Sequence, residues 1–441
     1  MRAMQVLSAI VLAFAAAVSG RMPAHAQAGT VAAQTVIVKA GRLIDGRGGA
    51  PIVPAMVRVD GQRITAVGTI LAVPPGARVI DLGSATLLPG LIDLHTHLTG
   101  QRSVHWEDVL TKTTPGHDAL WGARNALATL RAGFTTVRDM GPTWPFVDVD
   151  LRDAIEAGAV PGPRMMVAGA YVSSTGGAGD ARQFSPYVEV PLAHNLADGP
   201  EEVTKAVRTN LKQGADFIKI LGTGAVLSKG APPGSQQYTE AEMHVAVEEA
   251  ARWGKQVAAH LHGTDGIKAG IRAGVHTVDH GSMMDAEAVE LLRTHKAYFV
   301  PTMYTSMVSP TNPNLPESER ERSRQLKDVK ERSFQMVLKA GLPIGFATDA
   351  AVVPHGHNAR EFGYRVRLGQ SPMAAIASAT KTAAEIIGWS DRVGTIEAGK
   401  FADLIAVAGD PLKDITELER VSFVMKGGTV YKSPRSNPES R

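Results

Sequence analysis

Eight short apolar segments punctuate the middle of this 441-residue chain, with helical patterns between them. They cover residues 91–97, 133–139, 163–169, 215–221, 256–261, 275–280, 297–302 and 342–348. Strand-length apolar runs alternating with helical stretches are the mark of a βα-repeating fold. Thr239 and Glu242 have capping-box spacing at the head of 239–253. Gly388 closes 371–387 as a C-cap. Residues 316–340 are highly charged and amphipathic, and read as a solvated helix face. Eight such units predict an α/β fold, a (β/α)8 TIM barrel over residues 87–391, whose working face lies at the strand C-termini. A doubly wound open sheet is the alternative. It needs a glycine-rich phosphate turn after its first strand, and His95-Thr96-His97 stands in that place.

Both flanks of the barrel read as short strands. Met56-Val57-Arg58-Val59-Asp60 alternates, and Gly61-Gln62 turns the chain into Arg63-Ile64-Thr65-Ala66-Val67. Ala402–Val407 and Val421–Met425 are similar, and Lys426–Tyr431 reads as a hairpin. Residues 27–86 and 392–432 are therefore expected to form one β-sandwich, followed by a disordered polar tail over 433–441. At the other end, Arg2 precedes an apolar run from Val6 to Val18, and Ala24-His25-Ala26 offers a cleavage site. This is the layout of a signal peptide over 1–26, too short in its apolar run to span a bilayer. The mature chain is expected to begin at Gln27 and to be periplasmic or secreted.

Composition excludes several roles. The formal net charge is only +3, and Lys and Arg are scattered with no basic stripe, so nucleic acid is not an expected partner. No segment after the leader is apolar enough for a membrane span. The chain has no cysteine, so disulfides and thiolate metal sites are ruled out. That leaves small molecules as the expected partners; a homo-oligomer is also expected, a state that composition does not decide.

The strand ends carry the chemistry. Side chains two apart on a strand share a face, so His95 and His97 can converge on one point. The fourth segment holds Lys219 in an apolar run, where an ammonium is costly unless paired. The fifth ends in His260 and His262, the sixth in His280 and the eighth in Asp349. A single buried histidine is ordinarily a hydrogen-bonded core residue, and a single Asp an N-cap. Nitrogen and oxygen donors on five strand ends, all on one face, point instead to a metal site. A desolvated lysine loses its charge readily. Its neutral amine can add carbon dioxide to give a carbamate, an anionic ligand able to bridge two cations. Imidazole and carboxylate donors suit Zn²⁺, with Mn, Co, Fe and Ni as alternatives.

From Pro89-Gly90-Leu91-Ile92-Asp93-Leu94-His95-Thr96-His97 to Gly394-Thr395-Ile396-Glu397-Ala398-Gly399-Lys400-Phe401-Ala402-Asp403-Leu404-Ile405, the chain resembles the metal-dependent amidohydrolase superfamily. The resemblance implies a barrel with a flanking β-sandwich and two divalent metal ions. It places His95, His97 and Asp349 on one metal and His260 and His280 on the other, with a carbamate on Lys219 bridging. Thr175–Asp180, Gln237-Tyr238-Thr239, His260–Gly263 and His355–Phe362 look most like the prolidase-like dipeptidases and carboxypeptidases, whose relatives include ochratoxin A-hydrolysing enzymes. The chain departs from many of these relatives at Ala178, where they carry histidine.

The expected reaction is cleavage of the amide bond to a C-terminal amino acid, hydrophobic or proline, in dipeptides, N-acyl amino acids or ochratoxin A-like amides. Asp349 is expected as general base and then acid. Tyr238 or His262 is expected to steady the developing oxyanion. Arg182, His355 and Arg360 are candidates for holding the substrate carboxylate. Loops 301–311 and 352–354 are expected to supply an apolar pocket. Three alternatives stand beside this reading. A deaminase usually replaces the bridging lysine and has His-x-x-Glu after the fifth strand, where this chain has Gly263. A lactonase or phosphotriesterase uses a similar metal pair. A non-catalytic binding protein is expected to have lost ligands.

Overall fold

The computed structural model describes residues 35–100, 106–180, 184–185, 187–188, 196–228 and 231–434. The expected signal peptide, residues 435–441 of the expected tail, and Arg182 lie outside these described residues.

Two sheets flank the barrel. In one, the strand order is Arg63–Gly68, Ala55–Asp60, Thr35–Ala40, Arg78–Asp81. In the other it is Thr429–Lys432, Phe423–Lys426, Leu404–Val407, Thr86–Pro89, Arg42–Leu43. Residues 55–60 alternate between buried and partly buried, as a sheet packed on one face requires. Val57, Val59, Leu87, Leu404 and Phe423 meet in a shared apolar core. This is the expected sandwich, drawn from both ends of the chain.

Strand Thr86–Pro89 passes into the first barrel strand, Leu91–Thr96, through Gly90 alone. A Cβ on Gly90 would stand 2.0 Å from Thr135 Oγ1, so only glycine allows the two strands to approach there. This accounts for the Pro-Gly step ahead of the histidine pair.

The first strand pairs in parallel with Phe134–Asp139, and that with Arg164–Val167. Ile218–Leu221, Val257–Leu261, Thr277–His280 and Tyr298–Val300 form a second parallel run. Main-chain bonds join the two runs on both sides. Val167 O accepts from Asp216 N at 2.8 Å, and Val172 N donates to Lys219 O at 2.8 Å. Across the other gap, Gly345 N donates to Phe299 O, Leu94 N to Phe346 O and Asp349 N to His95 O, each at 2.8–2.9 Å. The ring is thereby complete as a (β/α)8 barrel.

Two expectations change in detail. The eighth segment, expected as a strand over 342–348, is extended but irregular, joined to its neighbours only by isolated bridges. The helix expected over 371–387 is two helices, Pro372–Ser378 and Lys381–Ile386. Both departures have one cause. Phe346 N donates to Ser378 O and Ile92 N to Ala379 O. The barrel thus takes two carbonyls from the helix, which breaks there, and a donor from the eighth segment, whose ladder is interrupted. The capping box forms as expected, with Thr239 Oγ1 accepting from Glu242 N. Among the described residues no helix is long and apolar enough to cross a membrane.

Candidate active site

The expected donors meet at the C-terminal end of the barrel. His95, His97 and Asp349 bring one ligand atom each within 4.8 Å of one another. His260, His262 and His280 do the same. Lys219 shares the cavity with both groups.

The rings are aimed by their outer nitrogens. His95 Nδ1 donates to Asp279 Oδ2 at 2.7 Å and His97 Nδ1 to Gly141 O at 2.7 Å. His262 Nδ1 pairs with Ser282 Oγ at 2.7 Å and His280 Nδ1 with Thr302 Oγ1 at 2.9 Å. Such bonds fix the tautomer and leave Nε2 free as a metal ligand. The Nε2 atoms of His95 and His97 each lie 3.6 Å from Asp349 Oδ1. That is too long for a hydrogen bond. It is close to the roughly 3.3–3.5 Å edge of a tetrahedron with Zn-like bond lengths. His260 Nε2 and Lys219 Nζ are buried with no hydrogen-bond partner. Orphaned polar atoms of this kind need an explanation, and metal binding supplies one. The donor set therefore fits a pair of divalent cations.

Backbone geometry helps to aim two of these side chains. His280 and Asp349 have φ of 69° and 60°, a left-handed conformation uncommon outside glycine and typical of strained functional positions.

Burial shapes the electrostatics. It holds His95 down to about 4 and His262 to about 3, with nearby cations adding to the effect. His260 and His280 are pushed well below the ordinary range by burial and by their histidine neighbours. Burial thus favours the neutral form of these four imidazoles, the form that binds metal. Burial also lowers Lys219 to about 8. For Asp279, burial pushes upward, but Arg138, Lys219 and His95 outweigh it and hold the carboxyl below its usual range.

Several participants escaped the sequence reading. Asp279 is fully buried and accepts from His95, from Thr277 Oγ1 at 2.6 Å and from Arg138 Nη2 at 3.3 Å. Charged residues inside the apolar second and sixth strands were the available signal. Tyr171 lines the cavity after the third strand, its phenol raised to about 12 by burial. Lys330 lines it from helix Glu317–Lys339, which corrects the expectation that the charged residues of this helix form a solvated face rather than a binding surface. Burial lowers this ammonium to about 8.

Other candidates are placed elsewhere. The Tyr238 side chain is buried in the core, and its hydroxyl donates to Ala197 O at 2.6 Å. It does not line the cavity, whereas His262 does. His355 Nε2 pairs with Gly100 O at 3.1 Å. Arg360 is exposed and turns to Tyr304 and Glu419. Neither lines the cavity. The apolar wall comes from Met140, Leu221, Val226, Leu227 and Val352. Loop 301–311, expected to be apolar, contributes Thr302, Thr305, Ser306 and Ser309 instead. Ala178 N donates to Gln237 Oε1 at 2.9 Å.

The sequence profile of the amidohydrolase family matches residues 86–431. The ochratoxinase of Aspergillus niger is 32% identical over 446 aligned positions, covering 93% of this chain and 89% of that protein. The structure of an Xaa-Pro dipeptidase with bound methionine in the active site superposes with a TM-score of 0.86 at 36% identity, covering 91% of this chain and 100% of the other. A prolidase complexed with N-methylphosphonate-L-proline gives 0.85 at 31% identity, with the same coverage. The chain belongs to the amidohydrolase family, in its prolidase-like group, and is a hydrolase of amide bonds.

Proposed function

We propose that this chain is a binuclear metal-dependent carboxypeptidase or dipeptidase. It cleaves the amide bond to a C-terminal amino acid in dipeptides, N-acyl amino acids and ochratoxin A-like amides. The observation that carries the reading is the meeting of His95, His97 and Asp349 with His260 and His280 in one cavity, beside a buried lysine nitrogen that has no hydrogen-bond partner. The named activities of the ochratoxinase and the dipeptidase support the substrate class.

His95, His97 and Asp349 would hold one cation, and His260 and His280 the other. Lys219 would bridge as a carbamate: its neutral amine attacks carbon dioxide, an N–C bond forms and a proton leaves. When bound, the cations supply Lewis acidity and bring the pKa of water to about 7. The protein's own groups do the rest. Asp349 accepts the proton of the attacking water and returns it to the leaving nitrogen. His262 stands in the cavity to hydrogen-bond the oxygen of the scissile carbonyl as charge develops on it. The apolar wall shelters the acyl group and excludes water.

The test combines metal analysis with a substrate panel. About two metals per chain are expected, with activity lost to chelator and restored by Zn²⁺. Amides of C-terminal amino acids should be turned over in preference to lactones, phosphotriesters and cyclic amidines. Preference for any of the latter, or a metal-free active enzyme, would reject the reading.

A further inference from the structure

Helix Glu317–Lys339 turns Ser323, Leu326 and Lys330 into the cavity. Steps of three and four residues place them on one helix face. Lys330 is buried. Its Nζ donates to Thr302 O at 2.6 Å and to Thr305 Oγ1 at 2.7 Å, and lies 3.5 Å from Thr302 Oγ1. All these partners are neutral, and among the described residues Lys330 forms no ion pair. The two large buried cations behave differently. Arg138 is paired with Asp279 at 3.3 Å and Arg365 with Glu361 at 2.6 Å. A buried charge without a counter-ion is expensive. The carboxylates of Glu361 and Asp349 attract this ammonium, but neither is paired with it; Lys330 is therefore set for an anion in direct contact, and it lines the cavity such an anion would enter.

Position specifies the anion further. Thr302 Oγ1, beside Lys330, is also the partner of His280 Nδ1 at 2.9 Å. One hydroxyl thus separates the ammonium from the cluster where an amide would be cut. In an amino-acid leaving group, the α-carboxylate is attached to the carbon next to the scissile nitrogen. No arginine of the described residues lines this cavity, and its other lysine is Lys219.

We propose that Lys330 receives the free α-carboxylate of the substrate, with the Thr305 hydroxyl beside it as a second donor. This rests on the reading of the chain as a hydrolase that releases a C-terminal amino acid. It assigns the selection for a free C-terminus to helix Glu317–Lys339, rather than to His355 or Arg360.

The test uses the metal-loaded full chain, N-acetyl-L-phenylalanine and its C-terminal carboxamide, with wild type, Lys330→Met and Lys330→Arg. The wild type should favour the free acid. Loss of one charge-assisted contact should raise KM for the acid roughly 10- to 100-fold in Lys330→Met. KM for the carboxamide should change less than about twofold, and Lys330→Arg should recover most of the loss. A purely structural role would weaken both substrates alike, which would overturn the proposal. So would an acid preference that survives in Lys330→Met. Binding of L-phenylalanine and L-phenylalaninamide, followed by calorimetry, keeps the two readings apart. If neither N-acetyl compound is turned over but wild type binds the acid better and Lys330→Met does not, the hydrolase reading falls and the carboxylate site stands. Equal binding of acid and amide by the wild type removes the site.

Discussion

Replacing Lys219 by methionine should stabilise the metal-free protein near neutral pH. Lys219 Nζ is buried and has no hydrogen-bond partner. Its ion-pair partner, Asp279 Oδ2 at 3.9 Å, already serves His95 and Arg138. Burial lowers the amine from 10.5 to about 8. That gap corresponds to about 3 kcal/mol of penalty on the charged form. The folded pKa lies below the unfolded one, so between pH 8 and 10.5 the unfolded chain binds more protons. The lysine's contribution to stability therefore rises with pH through that window and is flat below it. Methionine matches the lysine stem in volume and carries no charge. In chelator-treated, carbon dioxide-depleted protein, Lys219→Met should exceed wild type by about 3 kcal/mol at pH 7 in urea unfolding. The difference should close toward pH 10.5. Adding Zn²⁺ and bicarbonate should reverse the order, because only the wild type gains the full binding energy of the metals. A variant no more stable than wild type at pH 7, or a difference independent of pH, would refute the argument.

Asp349→Asn should retain metal yet lower kcat by about 10³-fold, the range of a missing general base; metal content and kcat measured on one preparation check this. Tyr238→Phe should cost about 1 kcal/mol for the lost bond to Ala197 O. Its kcat should stay within about twofold of wild type, since the hydroxyl is directed away from the cavity; a collapse in turnover would return Tyr238 to the catalytic group. Glu361→Ala removes the acceptor for Arg365 Nε and for the amides of Met303 and Tyr304. Stranding that fully buried guanidinium should cost about 3–5 kcal/mol in denaturant unfolding, and Glu361→Ala combined with Arg365→Met should recover part of it.

Much of the site could be read from local pattern alone. Strand periodicity is two, so His95 and His97 had to share a face. The donors at 260, 262, 280 and 349 were visible as polar residues ending apolar runs. Lys219 was visible as an ammonium with no business in such a run. What local pattern could not provide was direction relative to other elements. Tyr171 follows the third expected strand, and Tyr238 lies on the loop after the fourth. Packing sends Tyr238 into the core and Tyr171 into the cavity. Arg360 looked well placed along the chain, but its helix, Arg360–Arg367, starts with that side chain facing Tyr304 and Glu419.

The alternating barrel, the two β-rich flanks and the N/O donor set are legible along the chain, because each depends on a short-range period or on the chemistry of single residues. Which charges are paired depends on how the elements pack. Asp279 and Arg138 come from strands far apart in the chain and meet inside the barrel, where they set the orientation of His95. Lys330 sits in a helix full of Arg, Lys and Glu, and nothing in its neighbours along the chain distinguishes it. Closing the barrel removes it from water, gives it neutral partners and leaves its charge facing the cavity. Whether a charge is solvated or unbalanced depends on what packs around it, and that is a property of the fold rather than of the sequence near it.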